Sequence, residues 1–244
     1  MRTLLQPFYT LYVLTTFILS LFLAFPFFLI LGAWNKSTGR RLITLIVQYW
    51  CKGWLFIIGM PLKVSGSFPK EQRFVIVANH ISYLDTVNIY ASIPDYFRAL
   101  GKKEMVNIPV FGFLYKQLAI LVDRSSQRSR AKSMRLMWRH LRKEGHIAVF
   151  PEGTFNETTE LMKDFYDGAF RLAINTKVPV LPLLFPDTVN RWHYSHWWKI
   201  WPGKNRAVFL PPFDVSNLTL EDLPALKEKV KMLMSEEMAR LKGL

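Results

Sequence analysis

Residues 3–35 contain no charged side chain, and this constrains the start of the chain more than any other feature. An apolar run longer than about 18 residues is long enough for a membrane helix. As one helix, the run would extend about 50 Å against a hydrocarbon core of about 30 Å, so it must tilt, bend at Pro26, or turn back. A cleaved signal peptide has a shorter apolar region and a small-residue cleavage site, which residues 25–33 do not supply. A core helix of a soluble protein is the remaining alternative, and the length of the run argues against it.

Residues 40–60 are also apolar but carry Arg41, Thr44, Gln48 and Lys52 at spacings of three or four. One polar stripe along a helix predicts a segment lying at an interface rather than crossing it. Lys36, Arg40, Arg41 and Lys52 after the first run outweigh Arg2 before it, which predicts that the rest of the chain is cytoplasmic if the run spans. A spanning helix and a re-entrant helix pair held in one leaflet both fit this pattern.

The chain carries 32 Lys and Arg against 18 Asp and Glu, a net charge of +14, which implies an anionic partner. With half of its residues hydrophobic it is not disordered, and a mean hydropathy of +0.12 favours membrane lipids over nucleic acid as that partner. The single cysteine, Cys51, excludes an internal disulfide framework and a Cys-rich metal site, and suits a reducing, cytoplasm-facing domain.

Beyond residue 60 short apolar runs at 73–77, 118–122, 147–150 and 178–185 alternate with helical stretches, and further strands fit 61–65, 97–100 and 206–210. This predicts an α/β fold. The expected architecture is a single catalytic domain, residues 59–244, with a roughly seven-stranded sheet flanked by helices, preceded by a membrane-embedded helix pair in residues 1–58. Residues 127–143 read as a basic amphipathic helix with Ala131, Met134, Trp138 and Leu141 on its apolar face. Residues 222–244 read as a packing helix through Leu223, Leu226, Val230, Leu233 and Leu241. Between 191 and 201 four of the eight Trp lie amid cations, which predicts an interfacial loop. His193 and His196 there, even with Asp187, do not complete a metal-ligand set.

The most informative stretch is Ala78-Asn79-His80-Ile81-Ser82-Tyr83-Leu84-Asp85, where an apolar strand ends in polar groups, the place at which α/β folds build sites. His80 and Asp85 are five apart, about 140° on one continuous helix, so they meet only if a turn intervenes. With His80 in the loop and Asp85 in the first turn of a helix capped by Ser82, they form a dyad in which the imidazole takes a proton from a hydroxyl. The plain alternative has His80 on a backbone carbonyl and Asp85 as a helix cap. Ser82 lacks the glycine-flanked elbow of a nucleophilic serine. Phe150-Pro151-Glu152-Gly153-Thr154 is a second strand end, with Gly153 allowing close approach and Glu152 presenting a carboxylate. Arg124 and Lys103 stand at two further strand ends, where cations bind phosphate.

Taken in order, Asn79-His80-(four residues)-Asp85, Val122-Asp123-Arg124, Phe150-Pro151-Glu152-Gly153-Thr154 and Val178-Pro179-Val180-Leu181-Pro182 resemble the four sequence blocks of the glycerolipid acyltransferases. The closest likeness is to the 1-acyl-glycerol-3-phosphate acyltransferases. The resemblance implies transfer of a fatty acyl group from acyl-CoA or acyl-carrier protein to the free hydroxyl of a lysophospholipid, without metal or organic cofactor. It implies His80 as general base and Asp85 as its partner. Arg124, Glu152, Gly153 and Thr154 would bind the acceptor, Lys103 would be a further phosphate ligand, and the 178–183 block would help form the acyl-donor pocket. Two departures weaken the phosphate grip. Phe155 follows Phe-Pro-Glu-Gly-Thr where the family commonly has Arg, and Asp167 replaces a basic residue before Gly168-Ala169-Phe170. Another acceptor, including an amino-acid-linked lysolipid, stays open, as do a serine esterase using Ser82 and a non-catalytic lipid-binding protein.

Overall fold

The computed structural model describes residues 2–34 and 36–244. Two helices come first, α1 (Arg2–Ala33) and α2 (Lys36–Ile57), and they run antiparallel. The Tyr12 hydroxyl donates to the Ile57 carbonyl at 3.0 Å, the Trp54 indole donates to Thr16 at 3.2 Å, and Phe17 packs on Trp50 and Trp54 with centroids 5.2 Å apart. Near the connection, a Cβ at Gly39 would stand 2.0 Å from the Leu31 carbonyl oxygen, so only glycine allows this approach. Although α1 contains Pro7 and Pro26, it continues as one helix of about 48 Å, and the chain turns back after Ala33. Only 17% of its most apolar window is buried in the protein, so α1 is not an enclosed core helix. The side chains of Arg2 and Lys36, two of the flanking cations, lie outside the described residues.

Half of the polar stripe of α2 faces inward, against the sequence expectation, while Arg41 and Lys52 stay exposed. Thr44 and Gln48 are buried, with the Gln48 amide donating to the Ile93 and Asp95 carbonyls at 2.9 and 2.8 Å. Arg41 donates to the Glu144 carbonyl at 2.6 Å. The outward surface of α2 is instead largely apolar, through Leu45, Ile46, Tyr49, Phe56 and Ile57. Gln48 satisfies two carbonyls at the end of α3 and beyond, and this sets the direction of the inward face.

All seven expected strands form, within a few residues of the anticipated bounds: β1 (Leu62–Ser65), β2 (Val75–Ala78), β3 (Phe97–Lys102), β4 (Ala119–Val122), β5 (His146–Val149), β6 (Val180–Leu184) and β7 (Asn205–Phe209). They make one mixed sheet in the order β1-β7-β6-β2-β5-β3-β4. The five strands from β6 to β4 are parallel, while β7 is antiparallel to β6 and pairs in parallel with β1. Strand β2 is central and alternates between two cores. Ile76 and Ala78 face a layer that includes α1, α2, α3 (Leu84–Ser92) and α4 (Phe111–Leu118), while Val75 and Val77 face α5 (Gln127–Lys143), α6 (Gly168–Thr176) and α7 (Leu223–Lys242). Because Val13, Phe28, Ile43 and Leu55 of the helix pair share a core with Ile76, Leu84 and Leu181, the division at residue 58 separates chain segments rather than hydrophobic cores.

Two helix faces need adjustment. In α5 the buried stripe is Ser133, Met137, His140 and Leu141, while Ala131 and Trp138 are exposed and Arg142 lies over the Trp138 ring at 5.4 Å. In α7 the innermost residues are Leu223, Leu226, Val230, Met234 and Met238, with Leu233 and Leu241 half-buried.

Candidate active site

Strands β5, β2 and β6 are parallel neighbours, so the segments leaving their C-terminal ends emerge side by side. Asn79 locks two of them: its side-chain oxygen accepts from Phe185 N–H at 2.7 Å and its amide donates to the Phe185 carbonyl at 3.3 Å. The next residue, His80, donates its backbone N–H to Glu152 Oε1 at 2.8 Å and accepts from Asn156 N–H at 2.7 Å. The chain then turns, the Ser82 hydroxyl accepts from Leu84 N–H at 3.1 Å, and α3 begins with Asp85 in its first turn. This is the turn that the five-residue spacing requires.

Asp85 is completely buried and reaches back from the helix. Its Oδ2 accepts from Ile81 and Ser82 N–H at 2.7 and 2.8 Å and lies 3.2 Å from His80 Nδ1. Its Oδ1 accepts the Thr188 hydroxyl at 2.6 Å. Three fixed donors orient the carboxylate, and the carboxylate in turn favours the tautomer with the proton on Nδ1. The lone pair is thereby placed on Nε2, for which no bonding partner occurs among the described residues. The imidazole is 16% exposed and lies between Phe150, stacked at 4.1 Å and 14°, and Phe155, at 4.4 Å and 47°.

Glu152 does not face solvent. Its side chain has no exposure, and its second oxygen accepts from Lys163 N–H at 3.2 Å. Burial pushes its carboxyl up to about 7, opposed by the two backbone N–H groups and reinforced by Asp85 nearby. Glu152 ties the loop of His80 to the loop of Lys163. At Gly153 φ is +76°, and a Cβ would also strike the Tyr166 ring at 2.6 Å, so the turn needs glycine on both counts.

The anticipated cations gather at the neighbouring strand ends. Pairing of Lys102 with Val122 sets Lys103 and Arg124 just beyond adjacent strand ends, and both are exposed. Arg124 Nη1 bonds the Gly153 carbonyl, bringing its guanidinium onto the Glu152-Gly153-Thr154 turn. Thr154 is exposed and accepts from Lys163 Nζ at 2.9 Å. Asp123 beside Arg124 is held below the usual carboxylate range by the hydroxyl and N–H of Ser125, with Lys103 adding to the effect. The site thus joins a buried, oriented carboxylate, a partly accessible imidazole and cations, an arrangement able to remove a proton from a hydroxyl whose carrier bears negative charge.

The acyltransferase family profile matches residues 61–185, more than half of the chain. Over 186 residues the sequence is 31% identical to 1-acyl-sn-glycerol-3-phosphate acyltransferase of Haemophilus influenzae, covering 74% of this chain and 76% of that protein. The chain belongs to the acyltransferase family. This acyltransferase is also 28% identical over 183 residues to 1-acyl-sn-glycerol-3-phosphate acyltransferase alpha of Mus musculus, covering 73% of the chain and 64% of the mouse protein, less than two thirds of its length. Its fold matches the crystal structure of the 1-acyl-sn-glycerophosphate acyltransferase PlsC from Thermotoga maritima with a TM-score of 0.83 at 23% identity, over 100% of this chain and 99% of that one.

Three other sequence expectations meet different outcomes in the acyltransferase. Ser82 is wholly buried, with its hydroxyl donating to the Trp192 carbonyl and accepting from Leu84 N–H, so it is not an accessible nucleophile. The 178–183 block runs into β6, whose five residues are all buried in the sheet, and Phe185 just beyond it holds Asn79. Asp187 is held bidentately by Arg206 at 2.7 and 2.8 Å, while His193 and His196 share the Ser195 hydroxyl at 2.7 Å each. Among the described residues no three His, Cys, Asp or Glu side chains come together.

Four residues of the site carry no local signal: Phe150 as a stacking partner, Thr188 as the fourth group on Asp85, Tyr194 against Phe155, and Lys163. The Trp-rich loop is tied to the site as well as to α1. Trp192 packs on Tyr83, while the Thr10 hydroxyl donates to the Trp198 carbonyl at 2.9 Å.

Proposed function

We propose that this acyltransferase moves a fatty acyl group from acyl-CoA or acyl-carrier protein to the free hydroxyl of 1-acyl-glycerol-3-phosphate, giving phosphatidate for phospholipid synthesis. The observation that carries the chemistry is the His80–Asp85 pair at 3.2 Å, with the carboxylate buried and the imidazole edge accessible. His80 Nε2 takes the acceptor's hydroxyl proton as the oxygen attacks the thioester carbonyl. The tetrahedral intermediate collapses, the C–S bond breaks, and the imidazolium returns the proton to the departing thiolate. Asp85 stabilises the imidazolium while it exists. A base so placed is worth roughly 10²- to 10⁴-fold, about 3 to 5 kcal/mol of barrier. Holding the two lipid substrates together contributes beyond that.

Arg124 and Lys103 anchor the acceptor phosphate, with Thr154 at the same turn. The α1–α2 pair embeds in the membrane, and the catalytic domain lies on its cytoplasmic side. Supporting this, the outward surfaces of both helices are largely apolar, and the exposed Trp197 and Trp198 adjoin the start of α1.

The direct test compares wild type and His80→Ala in vesicles, with acyl thioester and lysophosphatidate as substrates. Transfer is expected to disappear in the variant while the protein stays folded and vesicle-bound; retained transfer would remove His80 from the mechanism. A second acceptor reading rests on Phe155, whose ring occupies the side of His80, and on Asp167, which is paired with Lys227 at 2.8 Å. Neither supplies a cation, so a lysolipid with a different headgroup is the competing substrate. A panel of lysolipids with one labelled thioester decides between them by kcat/KM.

A further inference from the structure

We propose that Lys163 is a ligand for the acceptor's phosphate, supplying from a neighbouring loop the positive charge that residue 155 does not provide. The inference rests on the acceptor reading above and goes beyond it by assigning a residue that none of the four sequence blocks contains. Phe155 packs its ring against His80 at 4.4 Å, Tyr83 at 5.0 Å and Tyr194 at 5.8 Å, so this position presents an apolar surface beside the base. One residue earlier, the hydroxyl of Thr154 holds the ammonium of Lys163 at 2.9 Å. The cation therefore arrives at the same turn by another route.

The route is built into the fold. One carboxylate, that of Glu152, accepts both the His80 N–H at 2.8 Å and the Lys163 N–H at 3.2 Å, which fixes the lysine backbone relative to the base. Two acidic residues close to Lys163 in sequence are drawn away by α7: Asp164 pairs with Lys231 at 2.6 Å and Asp167 with Lys227 at 2.8 Å. Among the described residues no carboxylate lies within ion-pair distance of Lys163 Nζ. At the neighbouring residue Arg124 bonds the Gly153 carbonyl. Two cations thus converge on the Gly153-Thr154 turn, one a planar fork and one a point charge. A phosphate monoester gives the ammonium an ion pair as well as a hydrogen bond, which the neutral Thr154 hydroxyl does not, and so displaces Thr154 as its partner.

The test is steady-state kinetics of the full chain in vesicles, varying lysophosphatidate at saturating donor and then donor at saturating lysophosphatidate. Lys163→Gln is expected to raise the acceptor KM about tenfold with kcat within about threefold and the donor KM unchanged. Lys163→Arg is expected to restore most of the loss. An unchanged acceptor KM in Lys163→Gln overturns the proposal. So does an effect confined to the donor KM, which would place the lysine on a donor phosphate, and so does equal damage in both variants with a lowered melting temperature, which would make Lys163 a loop tether. Failure of the underlying reading looks different: wild type would then turn over a phosphate-free lysolipid in preference to lysophosphatidate.

Discussion

The helix pair and the sheet domain share a buried core but present different outer surfaces. In the domain the central strands β2 and β6 are apolar on both sides; Ile76, Val77, Leu181 and Leu183 have no exposure. In the pair one set of apolar groups packs on the domain and a second set points outward, with Leu23 76% exposed on α1 and Phe56 73% on α2, while Thr44 and Gln48 are buried against the domain. The same chain therefore follows two solvation rules. Where water surrounds the fold, apolar area is removed from the surface. Where hydrocarbon is the surroundings, apolar area on the outside costs nothing, and polar groups are used for internal hydrogen bonds. The His80 imidazole stands in the water-type region, and the Trp-rich loop connects it to the other.

This contrast can be broken or sharpened by experiment. The largest effect is expected from His80→Ala, which lowers kcat/KM by roughly 10³-fold or more without altering vesicle binding. Loss of both together would show that the two regions are not separable. Phe22→Asp combined with Ile46→Asp should expel the pair from lipid, because each acid in the bilayer interior costs about 2.5 to 3.5 kcal/mol. Vesicle flotation checks this, and undiminished binding would mean that the outward faces do not meet hydrocarbon.

The third prediction concerns Glu152, whose carboxyl burial raises from 4.5 to about 7. Between those values the folded chain binds more protons than the unfolded chain, so the stabilisation is full below about pH 4.5 and is lost as pH rises through about 7. From pH 5 to 8 wild type should therefore lose roughly 3 kcal/mol more stability than Glu152→Gln, measured by thermal unfolding of both. Parallel pH profiles would show that the carboxyl titrates normally. The smallest effect compares the two faces of α2. Gln48→Leu strips the Ile93 and Asp95 carbonyls of a donor and should cost about 1 to 3 kcal/mol, whereas the outward Ile46→Val should stay within about 0.5 kcal/mol.

Much of the architecture was legible because the relevant signals are local. A strand buried on both faces is a short continuous apolar run, and β2, β4, β5 and β6 all read that way. The His80–Asp85 pairing was legible because a strand end, a turn and the first turn of a helix fix the geometry within six residues. The orientation of α2 was not, since periodicity tells which residues share a face but not what the face meets. The burial of Glu152 escaped for a related reason: a carboxylate at a strand end reads as a ligand until the N–H groups that it satisfies are known. Thr188 and Lys163 reach the site from the short helical turn after β6 and from the loop before α6, and no spacing in the chain relates them to His80.

By itself, then, the sequence determined the element types, the lipid-seeking start and the pairing of His80 with Asp85, because hydrophobic period and short-range turn geometry act between near neighbours. Only the tertiary structure decided which way α2 faces, that Glu152 is a tether, and that Phe155 and Lys163 share one turn beside the base. Those outcomes depend on which distant backbone groups remain to be hydrogen-bonded once the sheet has assembled, and that is a property of the packed chain.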